Sequence, residues 1–356
     1  MSGKRIVHVI GTGTIGEPLI GMLTDMKEPF GLDEVTFHKR TPLKTDRSKV
    51  RELQHWGAKL AVDADARSGF DEIGITPTYE AEEALEQATV VIDCTPVGND
   101  NKKKIYERHA AGTLGFIAQG SEFGFGKPYA RGINDKSLRR GEDKFVQVVS
   151  CNTHNLAVLI DNVALAGGGP ENLLGGRFLC IRRSNDISQD GSFVPSPQVG
   201  PHKDTRFGTH HARDAWHLFN TMGYDLNDLY SSALKINSQY MHCIWFSIRL
   251  AKPVTRDTII QRFHENDRVA LTHKRSANSI FSFGRDYGHY GRILSQTVVA
   301  VDTLAVKDDR EVVGFCFTPQ DGNPLVSSVA AALWFIHPDS WEKRLQVLKR
   351  YLFQEV

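Results

Sequence analysis

Cys151 is the residue of this chain best placed for nucleophilic chemistry. It lies in the stretch VVSCNTHNLAVLI, residues 148–160, where a run of valines ends and a helix is predicted to begin. A cysteine at a helix N-terminus experiences the positive end of the helix dipole and nearby N–H groups, which lower the thiol pKa. A buried structural cysteine is the alternative. The polar neighbours Ser150, Asn152 and Thr153 favour a reactive thiol.

A second chemical signal lies near the start of the chain. Gly11, Gly13 and Gly16 form G-x-G-x-x-G between the β-rich run KRIVHVI and a helical pattern. The first glycine permits a tight turn, the second lets backbone approach a pyrophosphate, and the third lets the helix pack close to the strand. A glycine-rich turn without a ligand is the alternative. The flanking strand and helix favour a dinucleotide site at the helix N-terminus.

The end of the second predicted strand bears on which dinucleotide would bind. The strand ends in FHKRTP, so Lys39, Arg40 and Thr41 lie where an NAD site usually has an acidic residue. Two cations and a hydroxyl suit a ribose 2′-phosphate, which favours NADP and leaves NAD open. In the alternative interpretation, Lys39 and Arg40 are solvated surface charges.

Strand and helix patterns alternate through the first half of the chain, and they predict a doubly wound parallel sheet of the Rossmann type. The second half has longer β-rich runs with helical stretches between them. These runs predict a mostly antiparallel sheet, an α+β catalytic domain. The predicted strands cover residues 4–10, 34–39, 59–62, 89–96, 113–120, 145–150, 177–182, 240–250, 296–305 and 311–318.

Composition narrows the class of protein. The 356 residues, 40% of them apolar, suffice for two packed domains. Lysine and arginine total 43 against 42 acidic residues, so no charge surplus favours nucleic acid or anionic lipid. Five cysteines without paired spacing indicate a reducing, cytoplasmic setting. The absence of a signal segment and of any run of about 18 apolar residues predicts no membrane partner.

These motifs together resemble those of the archaeal-type, or class II, phosphorylating glyceraldehyde-3-phosphate dehydrogenases. The resemblance spans essentially the whole chain, because the motifs come in that family's order and at similar separations. They are GTGTIG, CTPVGN, QGSE, VVSCNT, CIRRSND, THHARDA, QYMHCIWFSIRL, VVAVDTLAVKDDREVVGF and TPQDGNP. The resemblance implies an NAD(P)-binding Rossmann domain over residues 1–150, a catalytic domain over 151–324, and C-terminal helices over 325–356 that pack back on the nucleotide domain. It also implies a homotetramer.

The resemblance further implies roles for individual residues. Cys151 would be the nucleophile, and His242 would be the catalytic base unless it is a structural histidine within a strand. Substrate contacts would come from Ser150, Asn152, His210 and His211. Cofactor contacts would come from Thr14, Ile15, Gly120, Arg183 and Gln320, beside the glycines of the turn. No metal site is expected, since the histidine pair lacks carboxylate or cysteine ligands at suitable spacing.

The reaction implied is the reversible oxidation of D-glyceraldehyde 3-phosphate with NAD(P) and inorganic phosphate to 1,3-bisphosphoglycerate, through a cysteine thioester, in glycolysis or gluconeogenesis. One alternative is a related thioester-forming dehydrogenase for another phosphorylated aldehyde or semialdehyde, such as erythrose 4-phosphate. Another is a nucleotide-sensing or scaffold protein without turnover. His154 and Asn155 after CNT, and QGSEF in place of QGGEK, depart from the family's usual residues.

Overall fold

A computed structural model of the chain describes residues 3–120, 122–186, 191, 194–319 and 321–356. The chain clusters into two compact units. Unit 1 consists of Met1–Lys127, Leu138–Val148 and Leu325–Leu348, and unit 2 of Pro128–Ser137, Val149–Pro324 and Lys349–Val356.

The first sheet has the strand order β4-β3-β2-β1-β5-β6-β8-β7, and all its strands except most of β7 and the last residue of β8 belong to unit 1. The strands from β4 through β6 pair in parallel. Its strands are β1 Ile6–Ile10, β2 Glu34–His38, β3 Lys59–Val62, β4 Tyr79–Glu80, β5 Val90–Asp93, β6 Gly115–Gly120, β7 Lys127–Tyr129 and β8 Phe145–Val149. The central strands β1 and β5 are buried along their whole length, as parallel strands covered on both faces are.

Helices follow most of these strands, as the alternating pattern predicts. They are α1 Gly16–Asp25, α2 Lys27–Phe30, α3 Arg47–His55, α4 Arg67–Glu72, α5 Ala81–Gln87, α6 Gly98–Asn101 and α7 Glu107–His109. A π-helical turn, Lys102–Tyr106, joins α6 to α7, and a 3-10 segment, Lys44–Asp46, precedes α3. Asp93 at the end of β5 accepts hydrogen bonds from Asn101 at 2.8 Å and from Tyr106 at 2.6 Å, which fixes the chain after that strand.

Unit 2 contains the second sheet, with the order β10-β11-β9-β12-β16-β14-β13 and β15 paired to β16. Five of its strand pairs are antiparallel, and β9 with β11 and β13 with β14 are parallel. The strands are β9 Leu173–Arg182, β10 Gln198–Val199, β11 Leu229–Lys235, β12 His242–Leu250, β13 Val269–Thr272, β14 Thr297–Ala300, β15 Ala305–Lys307 and β16 Glu311–Thr318. The mixed, mostly antiparallel sheet and the parallel sheet of unit 1 confirm the predicted α/β class.

The helices of unit 2 include α8 Cys151–Val163, α9 His210–Asn220, α10 Arg256–His264 and α11 Ala277–Tyr287. Helices α9 and α10 pack against the long, buried α8. Eleven residues of α8 are buried, and its aliphatic side chains join β9, β12 and β16 in the core of this unit. The first turn of α8 is thereby fixed by packing along the rest of the helix.

Two segments belong to unit 2 although they were expected with the nucleotide domain. In Pro128–Ser137, the Asn134 amide donates to Thr221 Oγ1 at 2.9 Å. The C-terminal residues pair with β13, where Val356 N–H donates to the Leu271 carbonyl at 2.8 Å. The remaining C-terminal helices are α12 Asn323–Ile336 and α13 Trp341–Leu345. None of the helices in the described residues combines the length and apolar character needed to span a membrane.

Candidate active site

Cys151 is the first residue of α8, directly after the loop residue that follows β8. Ser150 occupies the N-cap position and its hydroxyl accepts from Thr153 N–H at 3.3 Å. Serine is among the residues that favour this position, because its oxygen satisfies an otherwise free N–H group. The Ser150 hydroxyl also bonds to the Thr153 hydroxyl at 2.9 Å. Ser150, predicted as a substrate contact, therefore also sets where the helix carrying the thiol begins.

Buried amides tie the first turns of α8 to strand β16. Asn155 donates to Thr318 Oγ1 at 2.8 Å, and Thr318 in turn donates to Asn152 Oδ1 at 3.2 Å. Cys316 donates from Sγ to Asn155 Oδ1 at 3.3 Å. The side chain of Asn152, expected to contact substrate, is thus occupied within the core. Asn155, a departure from the family's usual residues, serves this same attachment.

His154 also has a structural role. Its imidazole is fully buried, and Nδ1 lies 3.1 Å from the Ser150 carbonyl, which only accepts, so Nδ1 carries the proton. Burial lowers the pKa of His154 to about 4, partly opposed by the backbone carbonyls that it contacts. His154 is therefore a neutral residue that braces the turn before Cys151.

The thiol itself is more strongly protonated than its helix position predicts. Burial raises the pKa of Cys151 to about 12, although the Arg183 guanidinium acts in the opposite direction. Asp321 raises this pKa further, whereas the backbone N–H of Asn152 lowers it. The expectation of a lowered pKa is thus wrong for the ligand-free chain, because desolvation of the thiolate outweighs the helix dipole.

Asn323 holds the Cys151 backbone from the other side, and sequence reasoning missed it. Its amide donates to the Cys151 carbonyl at 2.9 Å and to the Gln296 carbonyl at 3.2 Å. Asn323 is fully buried. The only signal was its place in the motif TPQDGNP, which carries the resemblance but does not indicate the contact.

His242 begins β12, at the same edge of the second sheet where β9 and β16 end. Its Nδ1 accepts a hydrogen bond from Arg183 N–H at 2.9 Å, so the proton of the neutral imidazole is on Nε2. Burial lowers the pKa of His242 well below its ordinary value, and the nearby guanidinium groups of Arg183 and Arg182 lower it further. A neutral ring with Nε2–H is a hydrogen-bond donor, which differs from the expected role of base.

Arg183 is buried and already paired. Its guanidinium lies 3.0 Å from Asp321 and 2.9 Å from Asp186, and it donates to the Tyr240 carbonyl at 3.3 Å. This arginine, predicted as a cofactor contact, has its charge compensated within unit 2. Gln320, the other cofactor contact expected in this part of the chain, lies outside the described residues.

The N-terminus of α9 provides an anion-binding environment. It begins with His210 and His211, and Thr209 at the N-cap position makes no side-chain cap because its hydroxyl bonds to Ser231 at 2.6 Å. Both ring nitrogens of His211 are buried without a hydrogen-bond partner among the described residues. Burial lowers the pKa of both histidines, so they are neutral rings at the positive end of a helix dipole.

Arg182 supplies the positive charge at this place. It ends β9 and is exposed, and no carboxylate within the described residues forms an ion pair with it. Burial of the imidazole is the largest cause that lowers the pKa of His210, His211 and His242, and the charge of Arg182 lowers each of these pKa values further. It acts in the same direction on Cys151, against the effect of burial. Sequence analysis assigned no role to Arg182, since the doublet RR does not indicate which arginine is buried.

In unit 1, the glycine turn has the geometry of a dinucleotide site. Gly11 has φ +92°, and a Cβ at Gly16 would lie 2.0 Å from the Gly11 carbonyl, so both positions require glycine. A Cβ at Gly13 would meet nothing within 4 Å, which leaves space above the turn. Ile15 precedes α1 without a side-chain cap, and Thr14 lies in the same turn. The residues present fit a bound pyrophosphate.

The remaining predicted cofactor residues lie at strand ends of unit 1. Lys39 follows β2 and lies 2.6 Å from Asp46, while Arg40 is exposed. Gly120 ends β6 with φ +50°, and its carbonyl accepts from Gln147 at 2.9 Å. In the described residues, no cluster of three or more histidine, cysteine, aspartate or glutamate side chains is arranged to hold a metal ion.

A parallel sheet with this glycine turn, and a second unit whose thiol is under the influence of two arginines, are typical of nicotinamide-dependent oxidoreductases. Comparison with known proteins narrows the class. No protein-family model matches the chain. The chain is 28% identical over 324 residues to the glyceraldehyde-3-phosphate dehydrogenase of Methanobacterium bryantii, with 85% of this chain and 86% of that protein covered.

Two further archaeal relatives carry the same name. The protein of Pyrobaculum islandicum is 24% identical over 319 residues, covering 85% of this chain and 83% of its own. That of Hyperthermus butylicus is 27% identical over 315 residues, covering 84% of this chain and 83% of its own. The resemblance to the archaeal-type family is thus confirmed. Together with the parallel sheet, it implies an enzyme that uses a nicotinamide cofactor.

Proposed function

We propose that this chain is a phosphorylating glyceraldehyde-3-phosphate dehydrogenase in which Cys151 forms the acyl-enzyme. The observation that carries the proposal is the group formed by the Cys151 thiol and the cationic edge of unit 2. Within the part of the chain that the structure describes, Arg182 forms no ion pair and the buried ring nitrogens of His211 have no hydrogen-bond partner, so both suit the binding of a phosphorylated substrate. The name of its relatives gives the proposed substrate. The site would supply the thiol that the reaction needs and the cations that would bind the substrate phosphate.

In the proposed reaction, the Cys151 thiol loses its proton to solvent and the thiolate attacks the aldehyde carbon. The bound nicotinamide supplies the hydride acceptor and, when oxidised, a positive charge. Loss of hydride from the resulting alkoxide leaves a thioester on Cys151, and inorganic phosphate then attacks the thioester carbonyl. The acyl phosphate departs and the thiolate is regenerated, so atoms and electrons balance.

His242 serves this scheme as a hydrogen-bond donor. Because its Nδ1 accepts from Arg183 N–H, its Nε2–H is available to stabilise the negative oxygen formed in each addition step. Arg182 and the α9 N-terminus with His210 and His211 bind phosphate groups. Ser150 and Asn152 would contact the substrate beside the thiol, and the backbone N–H of Asn152 lowers the pKa of Cys151.

NADP is the proposed cofactor, with NAD accepted. Lys39 and exposed Arg40 at the end of β2 support this preference, because two cations suit a 2′-phosphate. Gly11, Gly13, Thr14, Ile15 and Gly16 would hold the pyrophosphate, and Gly120 and Gln320 would make the further contacts. Arg183, first expected as a cofactor contact, would act in positioning because Asp186 and Asp321 already compensate its charge. Cytoplasmic location and a homotetramer belong to the same proposal, and light scattering after size-exclusion chromatography would measure the assembly.

The proposal predicts an acyl adduct on Cys151. The protein is mixed briefly with glyceraldehyde 3-phosphate and NADP without inorganic phosphate and mapped by mass spectrometry. We expect an adduct on Cys151, absent in Cys151→Ser and retained in the control Cys243→Ser. An adduct elsewhere, or turnover by Cys151→Ser, would contradict the mechanism. A clear preference for erythrose 4-phosphate in a panel of phosphorylated aldehydes would reassign the substrate.

The same assay tests the phosphate contact. Arg182→Met should lower kcat/KM for glyceraldehyde 3-phosphate by about 10- to 100-fold, the value of a charge-assisted hydrogen bond or two. Turnover of glyceraldehyde, which lacks the phosphate, should change little. An equal loss with both aldehydes would show that Arg182 acts on the thiol rather than on the substrate phosphate.

A further inference from the structure

Unit 1 holds a charge cluster at the glycine turn, and the proposed function uses only its Lys39. Lys39 Nζ lies 2.6 Å from Asp46 Oδ2, and Lys49 Nζ lies 3.5 Å from Asp46 Oδ1 and 3.6 Å from Glu17 Oε2. Lys49 Nζ also donates to the Thr12 carbonyl, at 3.3 Å, within the glycine turn. The cluster thus connects the end of β2, the start of α3 and the expected pyrophosphate position.

Asp46 is the carboxylate that holds both lysines. It directly precedes α3, but its backbone is already helical, with φ −94° and ψ −3°, because the 3-10 segment Lys44–Asp46 continues into that helix. In this structure its side chain makes no cap hydrogen bond and instead contacts the two lysines. Burial raises the pKa of Asp46, but Lys39 and Lys49 outweigh burial and hold that pKa below its ordinary value. The carboxylate is therefore ionised and holds the two lysines in place.

We propose that Asp46 and Lys49 select the cofactor. Lys49, with Lys39, binds the 2′-phosphate of NADP after displacing Asp46, whereas Asp46 accepts a hydrogen bond from the 2′-hydroxyl of NAD. This inference rests on the proposed dinucleotide site. It adds an acidic residue that the end of β2 lacks and a lysine that lies ten positions after Lys39.

The balance of charges in the cluster explains why Asp46 and Lys49 would select between NADP and NAD. Lys39 and Lys49 are matched by Asp46 and Glu17, so a 2′-phosphate must exchange with a carboxylate and does not meet a bare positive patch. An exchange of this kind holds the affinity for NADP down and keeps NAD acceptable. Without it, the cluster is an ordinary set of surface ion pairs, each worth little.

The test uses binding of the intact protein, measured by isothermal titration calorimetry. The probes are NADP, NAD and the fragments 2′,5′-ADP and 5′-AMP, which differ in the 2′-phosphate. Lys49→Met should weaken the binding of NADP and of 2′,5′-ADP about tenfold and should change the affinity for NAD by less than about twofold. Lys49→Arg should retain most of the affinity for 2′,5′-ADP. Asp46→Asn should tighten NADP severalfold and weaken NAD, which reverses the direction of the Lys49→Met effect.

Lys44→Met is the matched control, because Lys44 is an exposed lysine of the same 3-10 segment. It should leave the ratio of NADP to NAD affinity unchanged. If Lys49→Met and Asp46→Asn also leave this ratio unchanged, or weaken both cofactors equally, the selection role is refuted. If the unmodified protein binds neither cofactor, the proposed function itself fails.

Discussion

Each unit carries a doublet of cations at a strand end, and the two doublets are built alike. Lys39 and Arg40 follow β2, and Arg182 and Arg183 stand at the end of β9. In each doublet one residue is held by a carboxylate and the other is exposed. Successive residues of an extended chain point to opposite sides, so a doublet at a strand end directs one charge inward and one outward.

The two doublets differ in how firmly the inner cation is held. Lys39 pairs with Asp46, seven positions along the chain, and 13% of its side chain is exposed. Arg183 pairs with Asp321, 138 positions away, and only 1% of its side chain is exposed. A nearby, partly solvated pair can exchange its partner, whereas a buried pair between distant segments is part of the folded core. The first suits ligand selection, and the second suits positioning.

The largest difference should appear in stability. Arg183→Met leaves the Asp321 carboxylate buried without its cation, and we expect a loss of about 3 kcal/mol in the free energy of unfolding. Arg182→Met removes an exposed charge and should change that free energy by less than about 0.5 kcal/mol. Urea denaturation followed by circular dichroism measures both. Equal effects of the two substitutions would mean that the Arg183 pair is no more important to folding than a surface charge.

Local signals account for what the sequence predicts correctly. The glycine turn and the start of the helix at Cys151 depend on residues close in sequence. A Cβ at Gly16 would clash with Gly11 within the same turn, and Ser150 caps the helix that directly follows it. The buried member of the RR doublet depends on Asp321, far along the chain, and no spacing rule indicates it. The raised pKa of Cys151 also depends on tertiary burial. The position of Cys151 at the helix N-terminus alone predicts a lowered thiol pKa.

The two carboxylates that contact Arg183, Asp321 and Asp186, should differ in their effect on the reactivity of Cys151, and this difference should be smaller than the difference in stability. Asp321 raises the pKa of the Cys151 thiol, so Asp321→Asn should lower that pKa and raise the thiolate fraction at a given pH. Iodoacetamide labelling of Cys151, followed by peptide mass spectrometry, should be severalfold faster at pH 8 than in the unmodified protein. The side chain of Asp186 is 42% exposed, so Asp186→Asn should have less effect because water screens its charge.

The pH dependence of this labelling gives an internal check. With a thiol pKa of about 12, the rate in the ligand-free, unmodified protein should rise about tenfold per pH unit between pH 7 and pH 10. A rate that levels off below pH 8 would mean that the thiolate is stabilised in the free protein. In that case the helix dipole, and not burial, would dominate the thiol pKa.

The smallest effect is expected from the outer cation of unit 1. Arg40 is exposed, so its attraction to a 2′-phosphate is screened by water and salt. Arg40→Met should weaken NADP binding about twofold to threefold at low ionic strength, with NAD unchanged, and the difference should vanish at about 0.5 M salt. Arg47→Met, an exposed arginine at the start of α3, is the control. A tenfold or larger loss that persists in salt would make Arg40 the main phosphate contact, and the inner pair of Lys39 with Asp46 would then be structural.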